Sequence, residues 1–396
     1  MTNQDVMQLT DENVLATYTR FPVALERGEG ATLYDFDGKR YIDFAAGIGV
    51  CSLGYGNESW VNAITTQAKK LQHVSNLYYT EPGAQLARTL CERSGMAGAF
   101  FCNSGAESNE AAIKLARKYA FDKYRTGKST IVTLNQSFHG RTVTTLAATG
   151  QDAFHNYFFP FTEGFRYANA NDVESVKAAC CNGDVCAVMM ELIQGEGGVL
   201  PLEKEFVQEV AEFCRTQDIL LLVDEVQTGV GRTGTLFCFQ QYGIRPDVVS
   251  FAKGIAGGLP FGGILANKRC AGVFSAGTHA TTFGGNPVCA AGANAVLGTL
   301  TPEFLANVVK KGDYIRSQIE KMNLPMVANI RGLGLMIGVG VSVSHKEAVS
   351  KMVQNGLLAL TAGSNTVRFL PPLVIAYDEI DKGLDIFKTT MGGFAK

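Results

Sequence analysis

The sequence has almost no excess of either charge. Its 35 Lys and Arg residues stand against 37 Asp and Glu residues, a formal net charge of −2. No field over the whole chain would attract nucleic acid or an anionic membrane, so we expect a small-molecule ligand. The chain lacks an apolar run of the ~18 residues needed to cross a bilayer, and its first residues, MTNQDVMQLTDEN, do not resemble a signal peptide. We therefore expect a cytoplasmic protein.

Cysteine patterns typical of disulfide frameworks or zinc sites are also lacking. The ten cysteines among 396 residues lie mostly within apolar stretches, which predicts buried reduced thiols. The one close cluster, Cys180, Cys181 and Cys186, has neither CxxC spacing nor a nearby histidine. We therefore expect no metal site.

Glycine groups divide the middle of the chain into short segments. The 44 glycines lie between apolar runs and form no repeat. Between residues 98 and 266, strand-like runs alternate with helical patterns, which favours an α/β fold with a mostly parallel sheet covered by helices. The runs predicted as strands are 99–102, 131–134, 185–190, 219–223, 248–251 and 263–266.

Polar or glycine-rich segments follow several of these strands. In open α/β sheets, ligands bind beyond the carboxyl ends of the strands, so the segments should converge on one site. They are NSGAESNE, NQSFHGRT, ELIQGEGG, DEVQTG and AKGIAGG.

The two ends of the chain have different patterns. Residues 32–35 and 40–43 flank Asp37-Gly38, which predicts a hairpin. After residue 291, amphipathic helices and a strand at 335–341 predict a smaller α+β domain. We therefore predict an N-terminal segment, 1–50, packed with a small domain, 291–396, beside a large cofactor-binding domain, 51–290.

The loop around Ser104 is the first candidate binding element. A strand, the small residues NSGAES and a helix follow one another here. Such a loop presents free backbone N–H groups and the positive end of the helix dipole, which suit a phosphate. Ser104 can add a hydroxyl donor, or it can act only as the N-cap of the helix, and this segment alone leaves both open.

Asp224 and Lys253 are candidate catalytic residues because each follows a buried strand. A buried carboxylate needs a cationic partner, and a lysine crowded by apolar groups and cations becomes nucleophilic. Taken singly, a lysine at a strand end is more often a surface residue. Together with a phosphate loop, the pair suits pyridoxal phosphate, which needs an anion pocket, a lysine for its aldehyde and a carboxylate for its ring nitrogen.

Longer motifs follow one another along the chain: NSGAESNEAAIKLAR, FHGRT, IQGEGGV, DEVQTGVGRTG, AKGIAGGLP, TTFGGNP and RFLPPL. Through them, from about Tyr18 to Pro372, the chain resembles the class III, or ω-amino, aminotransferases of fold type I. Within that family it is most similar to the acetylornithine aminotransferases. The resemblance implies a fold type I α/β transferase that uses pyridoxal 5′-phosphate.

The resemblance also implies how the cofactor ring is held. Lys253 would bind the aldehyde and later move a proton, and Asp224 would pair with the pyridine nitrogen. Gln227 would bond the phenolic oxygen. Phe138 and Val226 would lie against the two ring faces.

Contacts to the phosphate are implied in the same way. Gly105 and Ala106 would supply them, beside Ser104. Thr282 would reach the phosphate of a neighbouring subunit, so we expect a homodimer with shared active sites. The alternative for Thr282 is an ordinary turn hydroxyl.

Arg141 and Arg368 are the candidates for binding substrate carboxylates, because the planar arginine fork binds a carboxylate bidentately. Glu196 resembles a family residue that pairs with an arginine and would gate the change between amino donor and keto acceptor. Segments that line the substrate pocket in relatives contain Thr281, Asn76, Tyr78 and Tyr18, although packing explains both tyrosines equally well.

Two segments depart from the family pattern. Relatives commonly carry a His-x-His-Pro-like turn where this chain has GYGNE at residues 54–58, and they often read Glu-Pro where it has Glu191-Leu192. Neither change touches the predicted cofactor residues, so both bear on the choice of donor more than on the reaction. For His139, next to Phe138, we expect a structural hydrogen bond.

The reaction implied is transfer of the δ-amino group of N-acetylornithine to 2-oxoglutarate, as in arginine synthesis. A 4-aminobutyrate or ornithine aminotransferase remains open, because these share the lysine, the aspartate and the arginine of FHGRT. An isomerase like the glutamate-semialdehyde aminomutases is disfavoured, because those enzymes typically lack an arginine at the position of Arg141. A non-catalytic binding protein is disfavoured because Lys253, Asp224 and Arg141 are all present.

Overall fold

The computed structural model describes residues 1–394. Its strands are β1 (Leu25–Glu29), β2 (Thr32–Asp35), β3 (Arg40–Asp43), β4 (Gly98–Cys102), β5 (Thr130–Leu134), β6 (Phe165–Ala168), β7 (Val185–Glu191), β8 (Ile193–Gln194), β9 (Leu200–Pro201), β10 (Leu220–Asp224), β11 (Val248–Phe251), β12 (Gly262–Ala266), β13 (Val327–Leu333), β14 (Met336–Val341), β15 (Leu357–Leu358), β16 (Leu360–Ala362) and β17 (Thr366–Phe369). Its helices are α1 (Asn3–Asn13), α2 (Ala46–Gly49), α3 (Glu58–Lys70), α4 (Glu81–Ser94), α5 (Gly105–Tyr124), α6 (Val143–Ala148), α7 (Val173–Ala179), α8 (Lys204–Thr216), α9 (Phe239–Tyr242), α10 (Pro287–Thr299), α11 (Pro302–Lys321), α12 (His345–Gln354) and α13 (Tyr377–Gly392).

The centre of the molecule is a seven-stranded sheet in the order β4-β12-β11-β10-β7-β5-β6. All its strand pairs are parallel except the two made by β12, which is antiparallel to β11 and β4. The predicted mostly parallel α/β sheet is therefore confirmed. One strand, β6, was not predicted, because it reads Phe-Arg-Tyr-Ala and is only partly buried at the sheet edge.

Side chains of the central strands alternate between the two faces of the sheet. Leu220 and Leu222 pack in the same apolar cluster as α5, whereas Leu221 and Val223 belong to the larger cluster on the other face. This period of two, with every residue buried, is what a strand covered on both faces requires. In the same ladder Glu191 of β7 lies opposite Asp224 of β10, so the two carboxyl-terminal residues share one level of the sheet.

Two four-stranded sheets and the two-stranded sheet β8-β9 accompany the central one. The predicted hairpin forms from β2 and β3, and Gly38 in its turn has a φ of +83°. Its sheet continues to β15 from the C-terminal third, because β3 pairs with β15 in parallel. The other sheet, β13-β14-β17-β16, carries Arg368 opposite Gly338. The exact domain boundaries stay a prediction.

Two further findings concern membranes and thiols. Among residues 1–394, no helix is long and apolar enough to cross a membrane. The ten cysteines all lie in this described part and are free thiols.

A close contact in the C-terminal third gives a stability test. Gly312 of α11 packs on the turn at Gly334, and a Cβ at residue 312 would overlap with the Gly334 carbonyl. We expect Gly312→Ala to destabilise the fold by about 1–3 kcal/mol, because the backbone must shift to admit a methyl group. Thermal unfolding followed by circular dichroism measures the effect.

The matched control is Gly298 near the end of α10, which is exposed and has no heavy atom of the described residues within 4 Å of an added Cβ. Gly298→Ala should stabilise the protein by up to about 1 kcal/mol, because alanine favours the helix. Equal unfolding midpoints for Gly312→Ala and the parent protein would contradict the packing argument.

Candidate active site

A cavity of about 270 Å³ lies at the carboxyl ends of the central strands. Each of the five segments predicted to converge there contributes to its wall. The lining residues are Gly105, Ala106, Asn109, Phe138, His139, Gly140, Arg141, Glu191, Asp224, Val226, Gln227 and Lys253.

The N-terminus of α5 forms one end of this cavity. Ser104 is the N-cap, and its hydroxyl accepts a hydrogen bond from the backbone N–H of Glu107 at 3.2 Å. Gly105 follows Ser104, and a Cβ at this position would lie 2.7 Å from Cγ1 of Val226. Glycine therefore allows Val226 to pack closely against the first turn of α5. A 20-residue helix with a polar cap presents its N–H groups and positive dipole end to an anion here.

Asp224, the last residue of β10, is buried and held from three directions. Its Oδ2 accepts a hydrogen bond from Asn109 Nδ2 at 2.7 Å and lies 2.8 Å from His139 Nδ1. Its Oδ1 accepts from the backbone N–H of Val226 at 3.0 Å. The hydrogen bond expected of His139 therefore goes to the carboxylate that we predicted to meet the cofactor nitrogen.

Asn109 was missed by the sequence reasoning. It lies four residues after Gly105, so both residues share one face of α5, and this spacing was the available signal. Its amide also donates to the His139 carbonyl at 2.7 Å. Asn109 Oδ1 and His139 Nε2 are buried without a hydrogen-bond partner among residues 1–394. Such unpaired atoms mark a polar wall that a ligand or water can satisfy.

Lys253 follows β11 and has a left-handed φ of +43°, which is strained for a residue with a Cβ. Burial lowers the pKa of its amine, and the nearby Arg368 adds to this, although Glu196 and Asp224 act in the opposite direction. A lowered pKa increases the fraction of neutral, nucleophilic amine. The Lys253 side chain therefore has the electrostatic surroundings predicted for it.

Phe138 and Val226 form walls of the cavity. The ring of Phe138 packs edge-on against Phe154, with 5.7 Å between the ring centroids. Arg141 lies above Phe154, its guanidinium carbon 4.2 Å from the ring centroid, and is exposed to solvent. Aromatic contact thus positions this arginine at the rim of the cavity while its charge stays accessible.

Arg368 differs from Arg141 because it is buried and paired. Its Nη1 donates to Glu196 Oε1 at 2.7 Å and to Gln227 Oε1 at 3.1 Å. Burial raises the pKa of Glu196, but the charge and hydrogen bond of Arg368 outweigh it, so the pKa is lowered. Glu196 and Arg368 also act electrostatically on Lys253, which places the pair beside the cavity.

Other predicted residues lie outside the cavity. The hydroxyl of Thr281 accepts a hydrogen bond from Asn103 Nδ2 at 3.2 Å, and Asn76 donates to the Gly284 carbonyl at 2.8 Å. Thr282 is exposed to solvent. The side chains of Tyr18 and Tyr78 are exposed as well. Within one chain these residues are not brought to the cofactor cavity.

Glu191 lines the cavity and was noted in the sequence only as a departure from the family pattern. Its carboxylate is buried and accepts backbone hydrogen bonds from Phe138 at 2.9 Å and Gly195 at 3.2 Å. The pKa of Glu191 is raised to about 7, chiefly by burial and also by the charge of Asp224, whereas His139 acts in the opposite direction. A strand-end carboxylate beside Asp224 was the available signal.

Glu225 is a second buried carboxyl that the sequence reasoning did not use. It accepts hydrogen bonds from the Thr228 hydroxyl at 2.5 Å and from the backbone N–H of Phe239 at 2.7 Å. Burial raises its pKa to about 7. Its contacts lead away from the cavity, into the loop that follows β10.

The cavity wall fits pyridoxal phosphate, as the unpaired Asn109 Oδ1 and His139 Nε2, the capped helix and the low-pKa lysine indicate. A sequence model of the aminotransferases of class III matches residues 14–391. The chain belongs to the class III aminotransferases. Its cofactor is pyridoxal 5′-phosphate, and it is a pyridoxal-phosphate-dependent aminotransferase of fold type I.

Individual relatives are similar over nearly the whole chain. The acetylornithine aminotransferase of Haemophilus ducreyi is 48% identical over 388 residues, which are 98% of each chain. That of Methanocaldococcus jannaschii is 41% identical, over 96% of each chain.

Solved structures of this family have the same fold. The N-acetylornithine aminotransferase of Stenotrophomonas maltophilia has a TM-score of 0.86 at 37% identity and covers 98% of this chain and 99% of its own. The ornithine aminotransferase of Toxoplasma gondii has a TM-score of 0.95 at 29% identity, covering 100% and 96%.

The raised pKa of Glu225 makes stability depend on pH. The folded protein keeps this proton at pH values where an unfolded glutamic acid has lost it, so the free energy of unfolding falls as the pH rises from about 4.5 to about 7. A shift of this size corresponds to a loss on the order of 3 kcal/mol. Glu225→Gln carries no such proton and should flatten the dependence.

Unfolding of both proteins in parallel buffers between about pH 5.5 and 8 checks this sign. Glu191, whose pKa is also raised to about 7, is present in both and cancels in the comparison. A constant stability difference between parent and variant across this range would show that Glu225 is ionised throughout.

Proposed function

We propose that this aminotransferase transfers the δ-amino group of N-acetylornithine to 2-oxoglutarate, giving N-acetylglutamate semialdehyde and glutamate. One observation carries the proposal: two arginines lie at the cavity that contains Lys253. Arg141 is exposed at the cavity wall, whereas Arg368 is buried and bonded to Glu196 and to the wall residue Gln227. The names of the similar enzymes from Haemophilus ducreyi and Stenotrophomonas maltophilia support the choice of donor.

The bound cofactor supplies an aldehyde for amine exchange and an electron-accepting ring. Lys253 Nζ holds the aldehyde when substrate is absent. With the substrate amine in its place, the freed Lys253 Nζ would take a proton from, or return it to, the amino-bearing carbon of the substrate. Burial lowers the pKa of this amine, which favours its neutral, proton-accepting form.

The other cofactor contacts follow from the cavity wall. Asp224, oriented by Asn109 and His139, pairs with the ring nitrogen, and Gln227 bonds the phenolic oxygen. Phe138 and Val226 cover the ring faces. The N-terminus of α5, with Gly105, Ala106 and the capping residue Ser104, would hold the phosphate.

Two arginines suit two substrates with different carboxylate positions. The reacting carbon of N-acetylornithine bears no carboxylate, so Arg141 binds the distant α-carboxylate and Arg368 stays paired with Glu196. The reacting carbon of 2-oxoglutarate adjoins a carboxylate, which replaces Glu196 at Arg368 while Arg141 holds the second one. Thr281, which is bonded to Asn103 outside the cavity lining, remains a candidate for contact with the substrate.

The functional unit we propose is a homodimer that shares its active sites. Thr282, exposed in one chain, reaches the phosphate bound by its neighbour. Large exposed side chains lie in the same region, where Asn76 bonds Gly284. They are Leu77, Tyr78, Tyr79 and Phe283, which a second copy would remove from water. We place this dimer in arginine synthesis in the cytoplasm.

Ornithine is the first alternative donor, because the ornithine aminotransferase of Toxoplasma gondii is similar over the whole chain. A 4-aminobutyrate aminotransferase would use the same lysine, aspartate and arginine. An aminomutase is disfavoured by Arg141 at the cavity wall. These alternatives change the donor or acceptor and leave the cofactor contacts as they are.

The visible absorbance of the cofactor bound to Lys253 tests the donor. Without a keto acid, N-acetylornithine should abolish this band at lower concentration than ornithine or 4-aminobutyrate, and 2-oxoglutarate should restore it. Lys253→Ala serves as the control and should lack both the band and turnover. If ornithine or 4-aminobutyrate is preferred, that compound is the amino donor. Full turnover by Lys253→Ala would show that Lys253 is not the catalytic base.

Substitution of the two arginines separates the half-reactions. Arg141→Lys should weaken both by about 1.5–3 kcal/mol in kcat/KM, because lysine cannot form the bidentate contact. Arg368→Lys should weaken chiefly the 2-oxoglutarate half-reaction. Single-turnover kinetics with each substrate measures both variants, and equal effects of Arg368→Lys on the two halves would contradict the division of roles.

A further inference from the structure

Glu191 connects two separate loops through one buried carboxylate. It ends β7, at the same level as Asp224 on the neighbouring strand. Its Oε2 accepts the backbone N–H of Phe138 at 2.9 Å, and its Oε1 accepts the backbone N–H of Gly195 at 3.2 Å. Each carboxylate oxygen therefore serves a different loop.

The two loops carry different parts of the proposed site. The first follows β5 and places Phe138 against the cofactor ring, with Arg141 three residues later. The second follows β7 and places Glu196, directly after Gly195, on Arg368. A contact that holds both backbones therefore acts on the ring wall and on the ion pair together.

Gly195 also packs directly on Gln227. A Cβ at residue 195 would lie 2.5 Å from Gln227 Nε2, so no space separates this backbone from the amide. Gln227 Oε1 in turn accepts the hydrogen bond from Arg368. A shift of Gly195 would therefore disturb both hydrogen bonds of Arg368, the one to Glu196 and the one to Gln227.

We propose that Glu191 is a positioning residue that sets the distance between the aromatic wall of the cofactor cavity and the Glu196–Arg368 ion pair. The proposal rests on the function proposed above for those groups. Glu191 acts through Phe138 and Gly195 and moves no proton in the reaction.

The chemistry of the contact requires a carboxylate. Both partners are N–H donors, so both side-chain atoms that meet them must accept. In Glu191→Gln one of these atoms becomes an NH₂ group, which cannot accept, and one loop loses its hydrogen bond. The variant is nearly the same size, so it removes the contact without leaving a cavity.

Glu225→Gln is the matched control. Glu225 is also buried, also has a pKa raised to about 7 and follows Asp224 directly in the chain. It bonds Thr228 and Phe239, and neither residue lines the cavity. Both variants therefore lose a buried carboxylate. Only Glu191→Gln changes the hydrogen bonds to Phe138 and Gly195.

The first experiment is amide hydrogen exchange on the cofactor-saturated proteins, followed by mass spectrometry. Exchange in residues 136–141 or 193–198 should be about tenfold faster in Glu191→Gln, the effect of one lost hydrogen bond, and unchanged in Glu225→Gln. The visible circular dichroism of the bound cofactor should weaken in Glu191→Gln only, because the ring loses its fixed wall.

Kinetics supplies the second readout. The KM for 2-oxoglutarate should rise more than the KM for the amino donor, because only the keto acid engages Arg368. Unchanged exchange in both loops, or an equal rise of exchange throughout the protein together with a lower melting temperature, would overturn the proposal.

A measurement on the parent holoenzyme covers the case in which Glu191→Gln does not fold. Exchange resolved to single residues should find the amides of Phe138 and Gly195 protected relative to their loop neighbours, and unprotected amides would refute the contact. This result does not depend on the donor, so failure of the donor assay and failure of the positioning role are distinguishable.

Discussion

The site is organised around the buried carboxylate of Asp224. A carboxylate at the end of a buried strand is stable only when hydrogen bonds and a cationic partner replace its water. Asn109, His139 and the N–H of Val226 provide the hydrogen bonds, and they come from α5, from the loop after β5 and from the loop after β10. Satisfying one charge thus brings three elements to the same point.

Burial, modified by neighbouring charges, shifts the pKa of several groups in this part of the protein. The pKa of Lys253 is lowered, and the pKa values of Glu191 and Glu225 are raised to about 7. The pKa of Glu196 is lowered because Arg368 is bonded to it. Burial favours the neutral forms and pairing favours the charged ones. The site therefore combines a lysine whose pKa is lowered by burial with a glutamate whose pKa is lowered by its arginine partner.

Residues at the ends of apolar strands could be predicted from the sequence, and Asp224 and Lys253 were found in this way. The same rule failed for β6, whose edge position needs no apolar run, and it overlooked Asn109 and Glu191, whose partners lie 115 and 53 residues away in the chain. The local signals, which are the spacing of Asn109 from Gly105 and the place of Glu191 at a strand end, do not show which distant residues the two side chains contact. The predicted partner of Thr282 is a second chain, so the structure of one chain does not test this contact.

The register of β7 against β10 limits how the chain can change in length. Glu191 and Asp224 face each other at the last rung of the ladder, and neighbouring residues of a strand point to opposite faces. Loss or gain of one residue within either strand would turn its terminal carboxylate away from the cavity. Connections at the opposite ends of these two strands can vary in length without rotating either carboxylate, because such a change leaves the register unaltered.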